Sequence, residues 1–184
     1  MRKSKLIGLL SMTALLLPVG VMTAGPAAAA GNSCTKAAGS GTFKPPLPKV
    51  PSTKKVSAKL TSTGTVSGCT GGGVKSGKTS FVQTSKPRPA NCSTLIQPKA
   101  SDPPTVGTLT ITWNNGKKST ASGFKIKQTK ATEATTTGKV TAGLFVGKTI
   151  SGTITFTPEK GGCTSKDLAH VTYVNKKGTK FVLK

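Results

Sequence analysis

Apolar and polar side chains alternate with a period of two along most of this chain. Thr108-Leu109-Thr110-Ile111-Thr112-Trp113 puts Leu109, Ile111 and Trp113 on one face and three threonines on the other. Thr149 to Thr157 repeats the pattern with Ile150, Ile154 and Phe156 inward, and Lys55 to Leu60 and Phe124 to Lys127 do so with lysine outward. Such alternation marks half-buried strands of an antiparallel sheet. Shorter strands are expected near 78–84, 93–97, 138–145, 169–175 and 179–183. Helix signals are nearly absent, since no three-four apolar spacing is sustained and threonine and glycine are abundant. Asn114-Asn115-Gly116 predicts a tight hairpin of type I′, and Asn175-Lys176-Lys177-Gly178 a second hairpin.

Some eight short strands with glycine-rich turns predict an all-β chain, a single antiparallel immunoglobulin-like β-sandwich. Its expected core is Val56, Leu60, Phe81, Leu109, Ile111, Trp113, Phe124, Ile126, Leu144, Ile150, Ile154, Phe156, Val171, Tyr173, Phe181 and Leu183. Residues 54–184 form the sandwich domain in this reading. Residues 31–53, with Pro45, Pro46, Pro48 and Pro51, form a proline-rich extension with an edge strand at 35–44. A membrane-spanning β-barrel is disfavoured, because its strands need about nine to eleven residues and aromatic girdles.

The first thirty residues differ from the rest. Arg2, Lys3 and Lys5 precede an apolar run from Leu6 to Val21, and Ala28-Ala29-Ala30 closes it. That is the layout of a secretory signal peptide over residues 1–30, so the mature protein is expected to be secreted or envelope-associated, with no transmembrane segment. About 154 of the 184 residues then remain, enough to bury a core without a cofactor or metal. Cys34, Cys69, Cys92 and Cys163 read as two disulfides in an exported chain, and three connectivities are open. If the edge strand reverses into 54–66, Cys34 and Cys69 fall at one end, which favours Cys34–Cys69 with Cys92–Cys163.

Charge narrows the functional classes. The mature part keeps 24 of the 27 Lys+Arg residues against 4 Asp+Glu, a balance near +20, and Arg88 is its one arginine. Lysine is a hydrated point charge without the planar fork that reads bases, so attraction to polyanions is expected and sequence-specific nucleic-acid recognition is not. By the two-residue period Lys55 and Lys59 share a face, as do Lys125 and Lys127; these four are the candidate polyanion-binding residues. Lysine on outward faces also keeps β-proteins soluble and blocks edge pairing.

Catalytic motifs fare poorly. Gly72 to Thr79 spells the phosphate-binding loop, but it lies between strand patterns rather than opening a helix, and reads as a turn. His170 stands opposite in phase to Val171 and Tyr173, and no G-x-S-x-G marks a nucleophile for it. Four acids supply neither a carboxylate pair nor a metal cluster, so no enzyme, cofactor or metal site is expected. Ser67-Gly68-Cys69-Thr70-Gly71-Gly72-Gly73, Thr110 to Gly116, Gly143-Leu144-Phe145-Val146-Gly147 and Gly161-Gly162-Cys163-Thr164 resemble small secreted, glycine- and threonine-rich, all-β proteins of actinobacteria. The resemblance implies an immunoglobulin-like sandwich and supplies no activity; this chain is much richer in lysine. The expected function is non-catalytic binding of anionic cell-wall or extracellular polymers through surface lysines. The alternative is a structural or protein-interaction module whose lysines serve solubility.

Overall fold

The computed structural model describes residues 32–184; the leader-like segment 1–30 lies outside the described residues. The chain is all-β, but its main sheet closes into an eight-stave antiparallel barrel and is not a sandwich. The staves in spatial order are β1 (Asn32–Leu47), β3 (Lys59–Thr70), β4 (Ser76–Gln83), β6 (Thr105–Trp113), β7 (Lys118–Lys130), β8 (Glu133–Lys139) and β10 (Thr149–Pro158), then a broken last stave. That stave is β11 (Leu168–Asn175) followed in line by β12 (Phe181–Leu183), each pairing with both β10 and β1. Asn175 to Gly178 is therefore not a hairpin turn, because the chain resumes in the same slot. Minor pieces are the ribbon of β2 (Val56–Ser57) with β5 (Pro89–Ala90), and β9 (Ala142–Gly143) against β7.

The decisive element for closure is β1. The segment 31–53 carries 16 consecutive strand residues before its prolines take over, and β1 has partners on both sides: β3 over Ser33–Lys44 and the last stave. With both edges taken, the sheet has nowhere to stop, and an immunoglobulin-like pair of open sheets cannot form. Two other expectations fail locally. Residues 93–97 form no strand; Cys92–Ile96 is a helical turn, α1, because Asn91 and Thr94 make a reciprocal capping box. Residues 138–145 form no continuous strand: β8 ends at Lys139, β9 takes Ala142–Gly143, and the rest is loop. The Asn114–Lys117 turn carries positive φ at Gly116 (+78°), with Trp113 N donating to Lys117 O. It is a glycine-bulged loop rather than type I′.

Strand length alone does not separate this barrel from a membrane one, since β1, β3 and β7 have 16, 12 and 13 residues. The facing does. Thr108, Thr110 and Thr112 of β6, Lys125 and Lys127 of β7, and Thr135 and Thr137 of β8 alternate with buried inward residues. Polar-out and apolar-in is the reverse of a lipid-facing wall.

The two ends differ. One is packed: Trp113, Ile111, Val74, Val140, Ile150 and Leu183 are buried there beside the Cys34–Cys69 disulfide, which joins directly opposed residues of β1 and β3. Trp113 meets Phe145 edge to face at 5.4 Å and donates from Nε1 to Ser119 Oγ at 2.8 Å. At the other end residues 48–58 and 84–104 cross over the barrel as a cap. The Cys92–Cys163 disulfide ties α1 to the loop after β10, as the strand-direction reading of the sequence favoured.

Candidate functional site

Small residues keep the middle of the barrel from filling. One inward rung runs Val171, Gly41, Ser62, Phe81, Leu109 and Ala121 around six neighbouring strands. On β4, β6 and β7 this rung is tightly packed, but Gly41 and Ser62 bring almost no volume. The next rung places Gly39 and Gly64 side by side under Tyr173, where a methyl on either would collide with the phenol hydroxyl. Space is left above them, a chamber of about 580 Å³ running up the barrel axis. From Leu60 to Val66 along β3 it covers about 20 Å of strand, or roughly 15 Å of axial depth at an ordinary barrel tilt.

The lining is mainly apolar. Leu109, Phe124 and Phe181 form the inner part, with Leu60, Ile126, Ile154, Phe156 and Tyr173 around it. The latter five were expected in the core, and they are only half-buried because they face this space. Three of the polar side chains among them are already satisfied by backbone. Gln83 accepts from Leu60 N and donates to Ser85 O, Thr136 Oγ1 donates to Gly152 O, and Tyr173 Oη donates to Thr63 O.

The cap builds the mouth. Leu95, Ala58 and Ala90 lean over the chamber, and α1 is held by Asn91 Nδ2 donating to Ser52 O at 2.9 Å, by Cys92 N to Pro48 O, and by Gln128 Nε2 to Leu95 O. Exposed Lys55, Lys86, Arg88 and Lys99 line the rim. Asp102 is the acid among the lining residues; the Lys99 amide and the Arg88 guanidinium, the latter at 3.5 Å, hold its carboxyl below the ordinary range.

The four candidate lysines do not converge. Lys55 lies at the mouth. Lys59 points outward on β3, directly opposite Lys44 of β1. Lys125 and Lys127 point outward on β7, which β4 and β6 separate from β3. Lys86, Arg88 and Lys99 are not among the candidates read from the sequence; cations set beside prolines, as in Lys86-Pro87-Arg88-Pro89 and Pro98-Lys99, are the available signal. His170 also faces away from the chamber, with Nδ1 3.2 Å from Thr42 Oγ1.

The acids serve structure. Glu159 accepts from Lys166 Nζ at 2.6 Å and from the amides of Ala169 and His170 at 2.9 Å, which together pull its carboxyl down to about 2. Glu133 is lowered by Lys176 at 2.9 Å, and Asp167 accepts from Lys49 N. Residues 72–79 close the β3–β4 hairpin and run into β4, the turn the sequence predicted. Among the described residues no helix is long and apolar enough to cross a membrane, and the two disulfides are consistent with an extracellular protein. No protein-family model, curated protein or solved structure matches the chain, so its function is read from this geometry.

Proposed function

We propose that this is an exported, non-catalytic protein that holds a small apolar molecule inside its barrel, as a carrier or reservoir for a compound poorly soluble in water. One observation carries the reading: five large apolar or aromatic side chains, Leu60, Ile126, Ile154, Phe156 and Tyr173, stand half-buried around a chamber of about 580 Å³. Protein interiors normally pack to near-crystalline density, and open apolar space of this volume falls within the range of small-molecule sites. The firmly stapled cap supports a preformed site. The leader-like start and the disulfides support export.

The test is titration with N-phenylnaphthylamine, whose fluorescence rises in apolar surroundings. Saturable, equimolar uptake that is lost in Ser62→Phe supports the chamber. Uptake that is unsaturable, or unchanged in Ser62→Phe, refutes it.

A second reading, attraction to an anionic envelope polymer, is favoured by the outer wall. Lys44 and Lys59 are directly opposed across β1 and β3, an arrangement that repels unless an anion lies over it. Retention on an acidic polysaccharide column that falls steeply with salt, and falls further in Lys44→Gln/Lys59→Gln, supports this reading; retention indifferent to the substitutions removes it.

A further inference from the structure

The mouth carries information that the apolar chamber does not. Resting on the reading of the barrel as a ligand chamber, we infer that the occupant is a single-chain amphiphile with an anionic head. Its tail lies along the axis and its carboxylate or phosphate sits among Lys55, Lys86, Arg88 and Lys99.

Three observations lead there. First, polarity is graded along one axis. Phe124, Phe181 and Leu109 lie in the inner part, and four exposed cations stand at the rim. Second, Gln83, Thr136 and Tyr173 spend their hydrogen-bonding groups on the protein's own backbone, so none of the three asks for a polar atom from the ligand. A plain hydrocarbon tail meets that condition. Third, Arg88 is the one arginine after residue 30, and it lies at this rim. Its Nη2 donates to Pro103 O at 3.3 Å and its Nη1 lies 3.5 Å from Asp102, both long contacts at an exposed side chain that an anionic head can displace. A planar fork suits a carboxylate or phosphate better than a lysine does. General lysine excess accounts for cations anywhere on the wall, but it does not place this arginine over the opening.

A chamber roughly 15 Å deep under one mouth has the length for one extended chain. Each further buried methylene is then expected to tighten binding about fourfold until the tail reaches the floor.

The experiment is calorimetric titration of the full mature chain, with every probe below its micelle concentration. Dodecanoate, dodecyl phosphate, dodecanol and dodecyltrimethylammonium share one tail and differ in the head. The expected result is that the two anions bind more tightly than the alcohol and the cation binds worst. Lys55→Gln/Lys86→Gln/Lys99→Gln, all at exposed positions, weakens the anions by about tenfold and leaves dodecanol unchanged. Which anion is tighter distinguishes a carboxylate from a phosphate source. If all four probes bind alike, or the triple variant binds the anions as well as the parent does, the anionic head is refuted and the apolar chamber stands. If none of the four binds, the chamber reading falls and this inference falls with it.

Discussion

Two leucine substitutions on one rung of the barrel test whether the interior is open on one side and packed on the other. Ser62 on β3 and Ala121 on β7 share the inward rung through Phe81 and Leu109. Ala121 has 0% exposure, whereas Ser62 is half-buried and lines the chamber. Ala121→Leu forces extra methylenes into filled space, at a cost of about 1–3 kcal/mol. Ser62→Leu puts an apolar side chain into empty apolar space. Burying it is worth about 1.5–3 kcal/mol, offset by about 0.5–1 kcal/mol of lost rotamer freedom, so the net effect is stabilising or close to neutral. The two variants should therefore separate by about 1.5 kcal/mol or more, with Ser62→Leu the more stable. Urea unfolding reads this directly, because Trp113 is the sole tryptophan and lies in the packed end. With slopes of about 1–3 kcal/mol per molar urea, the midpoints differ by roughly 1 M. If Ser62→Leu loses as much stability as Ala121→Leu, the barrel is filled throughout and no chamber exists.

Other outcomes follow from the same contacts. Opening Cys92–Cys163, whose ends are 71 positions apart in sequence, removes about 4 kcal/mol in the chain-entropy account; thermal unfolding of the Ala/Ala variant measures it. Because the bridge also holds α1, the same variant should bind the apolar probe more weakly. Trp113→Phe loses the donor to Ser119 and part of the plug, costing about 1–3 kcal/mol in denaturant unfolding. The depressed Glu159 carboxyl stabilises the fold fully above the ordinary glutamate value of 4.5, and its contribution is lost as pH falls towards about 2. The melting temperatures of the parent and Glu159→Gln should therefore differ at neutral pH and converge across that acid window.

How far the sequence reveals this molecule depends on which forces write themselves locally. Alternation is local, so β6, β7, β10 and β11 are visible from Thr-Leu-Thr-Ile and its kin. The bulged turn at Gly116 is signalled by its residues, though its type is not. Closure is not local. A strand of a sandwich and a stave of a barrel show the same period, and the choice here turns on β1 pairing with both β3 and β11. Its Ala- and Gly-rich inward face, Ala37-x-Gly39-x-Gly41, looks too weak to be a central strand. It is weak because Tyr173 fills the space over Gly39, Val171 and Leu60 close over Gly41, and the region over Ser62 is left open. For the same reason Ile154 and Phe156 read as core from sequence, when they face a chamber. The cap is hidden differently: α1 is five residues long, and only the Asn91–Thr94 box marks it. Arg88 and Lys86 become a rim only once the cap folds over the mouth.

A ligand whose apolar tail enters the barrel from the capped end lies against methyl groups of the chamber wall. The most direct measurement is a set of intermolecular nuclear Overhauser effects between a protonated dodecanoate chain and the methyl groups of otherwise deuterated protein. Contacts are expected from the tail to the methyls of Leu60, Leu109, Ile126 and Ile154, with the head end near Leu95. Contacts confined to the exposed methyls of Val146 and Val174, or to no methyl at all, contradict this placement.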